Sequence, residues 1–160
     1  MMPDMTAPVT PDPIRLAPVD AVNWRAVTAL TVAPEQADWV AAPAYYLALC
    51  QYGEAGWRPL AVLDTEGDVV GFLMWTVDPA DGAAWLGGVI IDATRQGRGY
   101  GRAAVRAAIA LLAAEHGLSS FALSYEPANT AARRCYASIG FTETGETEDA
   151  EVVARLHGTA

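Results

Sequence analysis

The chain has 160 residues, room for one domain with a real core. Its 52% hydrophobic and 18% charged composition is that of a folded globular protein and excludes a disordered one. A net charge of −9 argues against nucleic acid or an anionic membrane surface as partner, and no apolar run reaches the roughly 18 residues of a membrane crossing.

All ten positive charges are arginines; there is no lysine. Arg95, Arg98, Arg102 and Arg106 fall within twelve residues. An acidic chain that gathers its arginines in one place is expected to hold an anion there. Cys50 and Cys135 sit in apolar, helix-like surroundings and read as two small core residues of a cytoplasmic protein. Neither has the spacing or partners of a disulfide or a metal site.

In chain order, prolines at positions 3, 8, 11 and 13 mark residues 1–13 as a flexible lead-in. That stretch lacks the basic cluster and apolar core of a secretory signal. Residues 14–157 are expected to form the domain. Ile14–Val19 reads as a strand, and Asp20 as the N-cap of a helix running to about Thr31. Pro34 and Pro43 flank short helical pieces. Ala44–Gln51 is a helix ended by Gly53 and Gly56. Three strands follow, Pro59–Leu63, Val69–Val77 and Ala83–Ile91, with turn signals at Glu66-Gly67 and Asp78–Gly82. They make an antiparallel meander. If Val77 opposes Ala83, then Trp75 opposes Trp85 on one face. Gly87 and Gly88 inside the third strand point to a bulge, to a ligand close to the backbone, or to tight packing against a helix.

After Ile91 the apolar period becomes helical, with Val105, Ile109 and Leu112 on one face of a helix from about Gly99 to Gly117. Ser119–Tyr125 is a strand and Ala128–Ile139 a helix. Phe141 opens a last antiparallel pair reaching Leu156. The order strand, loop, helix, strand requires Ala83–Ile91 and Ser119–Tyr125 to pair in parallel. The expected fold is α/β, one mixed sheet of about seven strands with helices on both faces.

The connection Gln96, Gly97, Arg98, Gly99, Tyr100, Gly101, Arg102 carries the chemistry. Glycines at alternate positions let successive N–H groups turn inward, and the helix start adds the positive end of its dipole. The arginines add charge, so the whole reads as a pyrophosphate cradle. A dinucleotide fingerprint would need glycine where Arg102 stands, and a P-loop would need a lysine.

Gln96-x-x-Gly99-x-Gly101 resembles the signature of the GNAT N-acetyltransferases. A second block, Asn129 through Tyr136 to Gly140-Phe141, resembles that family's later segment at the expected distance. The resemblance implies acetyl-coenzyme A as cosubstrate and a small-molecule amine as acceptor. It places the pantetheine arm along the backbone of Val89, Ile90 and Ile91 and the pyrophosphate on the amides of Gln96 to Gly101, with Arg102 behind. Asn129 would approach the same ligand, and Tyr136 would protonate the departing thiolate. A backbone N–H around Gly88–Ile90 would face the developing oxyanion. Many members carry a glutamate on the strand before the loop; Ala83–Ile91 has no carboxylate, which leaves a water chain, Glu126 or Glu54 to take the amine proton. The family often forms homodimers.

For the acceptor, the chain offers Trp39, Tyr45, Tyr46, Trp75 and Trp85 as walls. Glu143, Glu146, Glu148, Asp149 and Glu151 form an acidic cluster suited to ammonium groups. Asn23-Trp24 and the ending from Thr144-Gly145-Glu146 to Leu156 resemble the bacterial spermine/spermidine branch, which implies a polyamine or diamine. The competing expectations are a protein N-terminus or antibiotic amine as acceptor, and a coenzyme-A-binding module without turnover.

Overall fold

The computed structural model describes residues 13–158. The expected lead-in therefore lies outside the described residues except for Pro13. Strand β1 (Arg15–Pro18) leads into helix α1, which spans only Trp24–Thr28. The longer helix expected from Asp20 does not form. The Asp20 carboxylate instead accepts the Val22 and Asn23 amides at 2.8 and 2.9 Å, making a turn ahead of the helix. At the other end, tertiary bonds capture the chain: Thr31 N donates to Asp92 Oδ1 at 3.0 Å, and Ala93 N donates to Thr31 O at 2.7 Å.

A 3-10 turn at Pro34–Gln36 and helix α2 (Pro43–Tyr52) follow, then strands β2 (Arg58–Leu63), β3 (Val69–Val77) and β4 (Ala84–Ile91). Helix α3 covers Tyr100–His116 between left-handed glycines, Gly99 at φ +83° and Gly117 at φ +65°. Strand β5 (Ser120–Tyr125), helix α4 (Thr130–Ile139) and strands β6 (Thr142–Glu148) and β7 (Glu151–His157) complete the chain. The sheet order is β1-β2-β3-β4-β5-β7-β6, antiparallel except for the expected parallel pair β4–β5. Among the described residues, no helix is long and apolar enough to cross a membrane.

Side chains alternate along β3, so each face of the sheet buries its own core. Leu73 and Trp75 pack with Val105, Ala108 and Leu112 of α3. Phe72 and Met74 pack on the opposite face with Val27 and Leu30, and with Tyr46, Leu47 and Cys50 of α2. Helices thus cover both faces. Burying each large apolar side chain contributes roughly 1.5–3 kcal/mol, which holds the helices down on the sheet.

The β3–β4 register differs by one residue from the expected one. Val77 opposes Ala84, Thr76 opposes Trp85 and Trp75 opposes Leu86. The connection is one residue longer than a loop ending at Asp78–Gly82, because Ala83 O accepts Asp78 N at 2.9 Å and belongs to the turn. A one-residue slip turns side chains to the other face, so Trp75 and Trp85 do not pair. Trp75 enters the α3 core, with its ring 4.8 Å from that of His116.

A bulge then interrupts β4. Phe72 opposes Ile90 while Met74 opposes Gly87, so β4 carries one extra residue there. Gly88 adopts φ +58° at this point. The extra residue reverses the alternation: Leu86 faces the α3 core, yet Ile90 faces the α2 core. Packing is tight as well, so two of the readings of the glycine pair hold together. A Cβ on Gly88 would lie 3.2 Å from the Phe72 ring and 3.3 Å from the Tyr46 ring. Gly88→Val is expected to lower stability by about 3 kcal/mol, from the left-handed backbone and the crowding. A fall in urea midpoint at unchanged m-value checks it.

Candidate active site

Strands β4 and β5 pair over only two positions, Ala84 with Phe121 and Trp85 with Ala122. Beyond them the parallel ladder ends. The rest of β4 turns its edge toward a cleft whose far wall is β5 and α4. Two cavities open along this cleft, one of about 530 Å³ toward the glycine loop and one of about 840 Å³ toward α2 and the β6–β7 turn. Trp39, Val40, Val89, Asn129, Ala132 and Tyr136 line both, so the cavities meet there.

The first cavity gathers Val89, Ile90, Ile91, Gln96, Gly97, Gly99, Tyr100, Gly101, Arg102, Asn129 and Tyr136. Gly97 and Gly99 adopt φ +78° and +83°, conformations that favour glycine. The first helical bond of α3 runs from Ala103 N to Gly99 O at 3.0 Å, so the Gly99, Gly101 and Arg102 amides precede any acceptor within the helix. Those amides and the dipole of a seventeen-residue helix form an anion-binding end. The Ile91 carbonyl accepts the Gln96 side-chain amide at 3.0 Å. Asn129 Oδ1 accepts Ala132 N at 3.1 Å and caps α4.

The arginine cluster divides. Arg95 lines the first cavity, but its guanidinium bonds the buried Asp64 at 3.1 Å and lies 3.8 Å from Asp68. Backbone amides of Glu66 and Asp68 complete the Asp64 carboxylate and hold it below the usual carboxylate range. Arg98 and Arg106 are exposed and line neither cavity. Arg102 lines the first cavity, joined by Arg134, which sequence reasoning missed. The signal for Arg134 was its spacing: it follows Ala131 by three on the face of α4 that also presents Cys135 to the cavity. Cys135 and Cys50 are half-buried rather than core residues, and burial pushes both thiols up, Cys50 to about 11.

Tyr136 stands at the junction on α4. Burial, then the neighbouring Cys135, Glu151 and Tyr125, raises its phenol above the usual tyrosine range and keeps it protonated. Its ring lies 5.6 Å from that of Tyr125. The Tyr125 hydroxyl is committed, donating to Glu143 Oε1 at 2.7 Å beside Arg133 Nε at 2.7 Å. The Tyr136 hydroxyl has no hydrogen-bond partner among the described residues.

Six carboxylates line the second cavity: Glu54, Asp78, Glu126, Glu148, Asp149 and Glu151. No arginine does. Trp39, Tyr46, Trp57, Trp85, Tyr125 and Tyr136 supply aromatic wall. Trp57 was missed, while Tyr45 and Trp75 do not reach the cavity; Tyr45 points to solvent. Of the expected acidic cluster, Glu143 is held by Tyr125 and Arg133, and Glu146 by Arg155 at 2.9 Å. The Glu151 carboxyl is raised, first by burial and then by the charges of Glu126 and Asp149; Ser124 Oγ donates to it at 3.4 Å.

The sequence model of the acetyltransferase (GNAT) family matches residues 24–141, and the chain belongs to that family. A mycothiol acetyltransferase of Salinispora tropica is 32% identical over 150 residues, which cover 86% of this chain and 48% of that protein. A spermine/spermidine N(1)-acetyltransferase of Bacillus subtilis is 35% identical over 89 residues, 52% of this chain and 59% of that protein. The chain spans about half the length of the curated relatives it matches. Spermidine N-acetyltransferase of Vibrio cholerae, solved with coenzyme A and spermine, superposes with TM-score 0.69 at 18% identity over 89% of this chain and 93% of that one. The aminoglycoside acetyltransferase AAC(6')-Ib, solved with paromomycin and acetyl-coenzyme A, superposes with TM-score 0.75 at 18% identity over 91% and 94%. At that identity, both likenesses are of fold.

Proposed function

We propose that this protein is an N-acetyltransferase that moves the acetyl group of acetyl-coenzyme A to a primary amine of a small polycationic acceptor, such as a polyamine or diamine. The observation that carries the acceptor class is the second cavity, which six carboxylates and six aromatic side chains line with no arginine among the described residues. Carboxylates grip distal ammonium groups, while aromatic and apolar wall near the junction favours the neutral terminal amine.

The first cavity fits acetyl-coenzyme A. Its loop amides and helix start suit a pyrophosphate, Arg102 and Arg134 add charge, and the free edge of β4 at Val89 to Ile91 suits an extended amide-bearing arm. Bound there, the cosubstrate supplies a thioester carbonyl open to attack by an amine. A backbone N–H at the Gly88 bulge donates toward the carbonyl oxygen as charge develops on it. Tyr136 holds its proton at Oη beside the junction and gives it to the leaving sulfur. That loose hydroxyl favours turnover over a binding module that does no chemistry. The amine proton leaves toward the carboxylates of the second cavity, where Glu54, Glu126 and Glu151 line the wall. An antibiotic amine, as in the aminoglycoside enzyme, is the competing acceptor; it too is polycationic, and a cavity of about 840 Å³ has room for it.

A Cβ on Gly101 would meet only Ile91 Cγ1, at an ordinary 3.6 Å. Gly101→Val is therefore expected to fold but to fill the loop cavity and abolish coenzyme A binding. Calorimetric titration tests it, and unchanged affinity would remove the loop from the binding site.

Tyr136→Phe should lower kcat by about 10²-fold, the lower end for general acid catalysis, with coenzyme A affinity retained. Full kcat in this variant, under conditions where chemistry limits the rate, would reduce Tyr136 to a packing residue.

Steady-state thiol release should favour spermidine, spermine and putrescine over N-terminal peptides and aminoglycosides. Activity should rise from pH 7 toward 9. The small neutral fraction of the terminal amine grows over that window while the distal groups stay ammonium, and Tyr136, held above the usual tyrosine range, keeps its proton. Added salt should raise the polyamine KM by screening the distal contacts. Peptides or aminoglycosides outperforming every polyamine would overturn the acceptor assignment.

A further inference from the structure

Gln96 opens the glycine loop, yet its side chain turns back into the protein. Its Nε2 donates to the Ile91 carbonyl at 3.0 Å and to Gln36 Oε1 at 2.8 Å. Its Oε1 accepts Gln36 Nε2 at 3.3 Å. The two amides thus form a reciprocal pair, each donor facing an acceptor across 60 residues of sequence.

Gln36 is itself held from its own side. Its Oε1 also accepts the Ala33 amide at 3.2 Å, and its carbonyl accepts Trp39 N at 2.9 Å. The segment is tied to the end of β4 by the Thr31–Asp92 and Ala93–Thr31 bonds. One network therefore joins the last carbonyl of β4, the first residue of the loop, and the segment carrying Trp39 and Val40. Those two residues line both cavities.

The residue type matters. A carboxylate at position 36 would place negative charge beside a loop shaped for an anion. An ammonium or guanidinium there would compete for the phosphate itself. A neutral amide fixes the loop with directional bonds and leaves its electrostatics to the backbone, Arg102 and Arg134.

We infer that Gln36, itself on the wall of the first cavity, is a positioning residue whose side-chain amide sets the coenzyme loop through Gln96. This rests on the acetyltransferase reading above. Without Gln36, the Gln96 amide loses its paired donor and acceptor, and the loop loses the register that aims its N–H groups.

The test is a double-mutant cycle on Gln36→Met and Gln96→Met, read by calorimetric titration with coenzyme A and by steady-state kinetics. Thermal unfolding confirms the fold of each variant. Gln36→Asn, which keeps the amide but shortens its reach, guards against an effect of methionine alone. Each single variant should weaken coenzyme A binding about 5-fold, the size of one lost hydrogen bond. The loss should appear in KM for acetyl-coenzyme A rather than in kcat. The double variant should be no worse than Gln96→Met, because Gln36 acts through Gln96. Unchanged affinity in Gln36→Met and Gln36→Asn overturns the inference, and so do losses that multiply in the double variant, which would mean that Gln36 acts independently. Wild-type protein that binds no coenzyme A overturns the acetyltransferase reading and the inference with it. Wild-type binding with unaffected variants overturns the inference alone.

Discussion

Strands β4 and β5 stay together for two residues and then part, and the site is a consequence of that separation. A parallel ladder that continued would bury the edge of β4 and close the sheet over both cavities. The bulge at Gly88 works with the parting. It adds a residue to β4, so that Ile90 anchors into the α2 core while Val89 and Ile91 pack on the α3 side, near the loop that follows. Left-handed backbone and two aromatic rings within 3.3 Å of a would-be Cβ leave glycine as the residue that fits. A main-chain irregularity with tight packing behind it thereby sets the course of β4 along the cleft.

The cleft is polarised along its length. Toward α3 it ends on helix amides with Arg102 and Arg134; toward α2 and the β6–β7 turn it ends on carboxylates. In a chain of net charge −9 an acidic cavity is unremarkable by itself, but the segregation is informative. Near the acidic end, Arg155 is held by Asp81 and Glu146, with its guanidinium 5.5 Å from the centre of the Trp85 ring, and Arg133 is held by Glu143. Charges that would cancel the cavity's field are neutralised at its rim. Focusing of that field by apolar walls raises the local concentration of a cationic ligand.

Much of this was legible because period and punctuation agreed. Val69–Val77 matches its expected bounds, and Gly99 and Gly117 bracket α3 as their types suggest. Cleft residues on one continuous element, such as the glycine loop, could be read together. What was not legible depends on long-range choices. Helix α1 stops early because Thr31 finds Asp92, a partner 61 residues away. The Trp75–Trp85 pairing failed because Ala83 joined the turn rather than the strand. Clustering of arginines in sequence overstated the anion site, since Arg95 answers to Asp64, a residue whose burial no local pattern reveals. Trp57 reaches the second cavity only through the packing of the segment before β2, whereas Glu148, Asp149 and Glu151 of the expected acidic cluster do line it.

The absence of lysine gives the polarised cleft a further chemical property. Under the proposed reaction, a cavity that brings neutral primary amines to a thioester would expose the protein's own amines to the same chemistry. Lysine near the junction would be desolvated, its ammonium pushed toward the neutral and nucleophilic form. Arginine supplies the positive charge here instead: Arg102 and Arg134 beside the loop, and Arg155 at the acidic rim. A guanidinium pairs with anions without presenting a nucleophilic amine, so these residues can hold anions without becoming acceptors. The carboxylates at the other end offer no amine to acetylate. The side chains that create the field along the cleft are therefore ones that the proposed chemistry leaves intact.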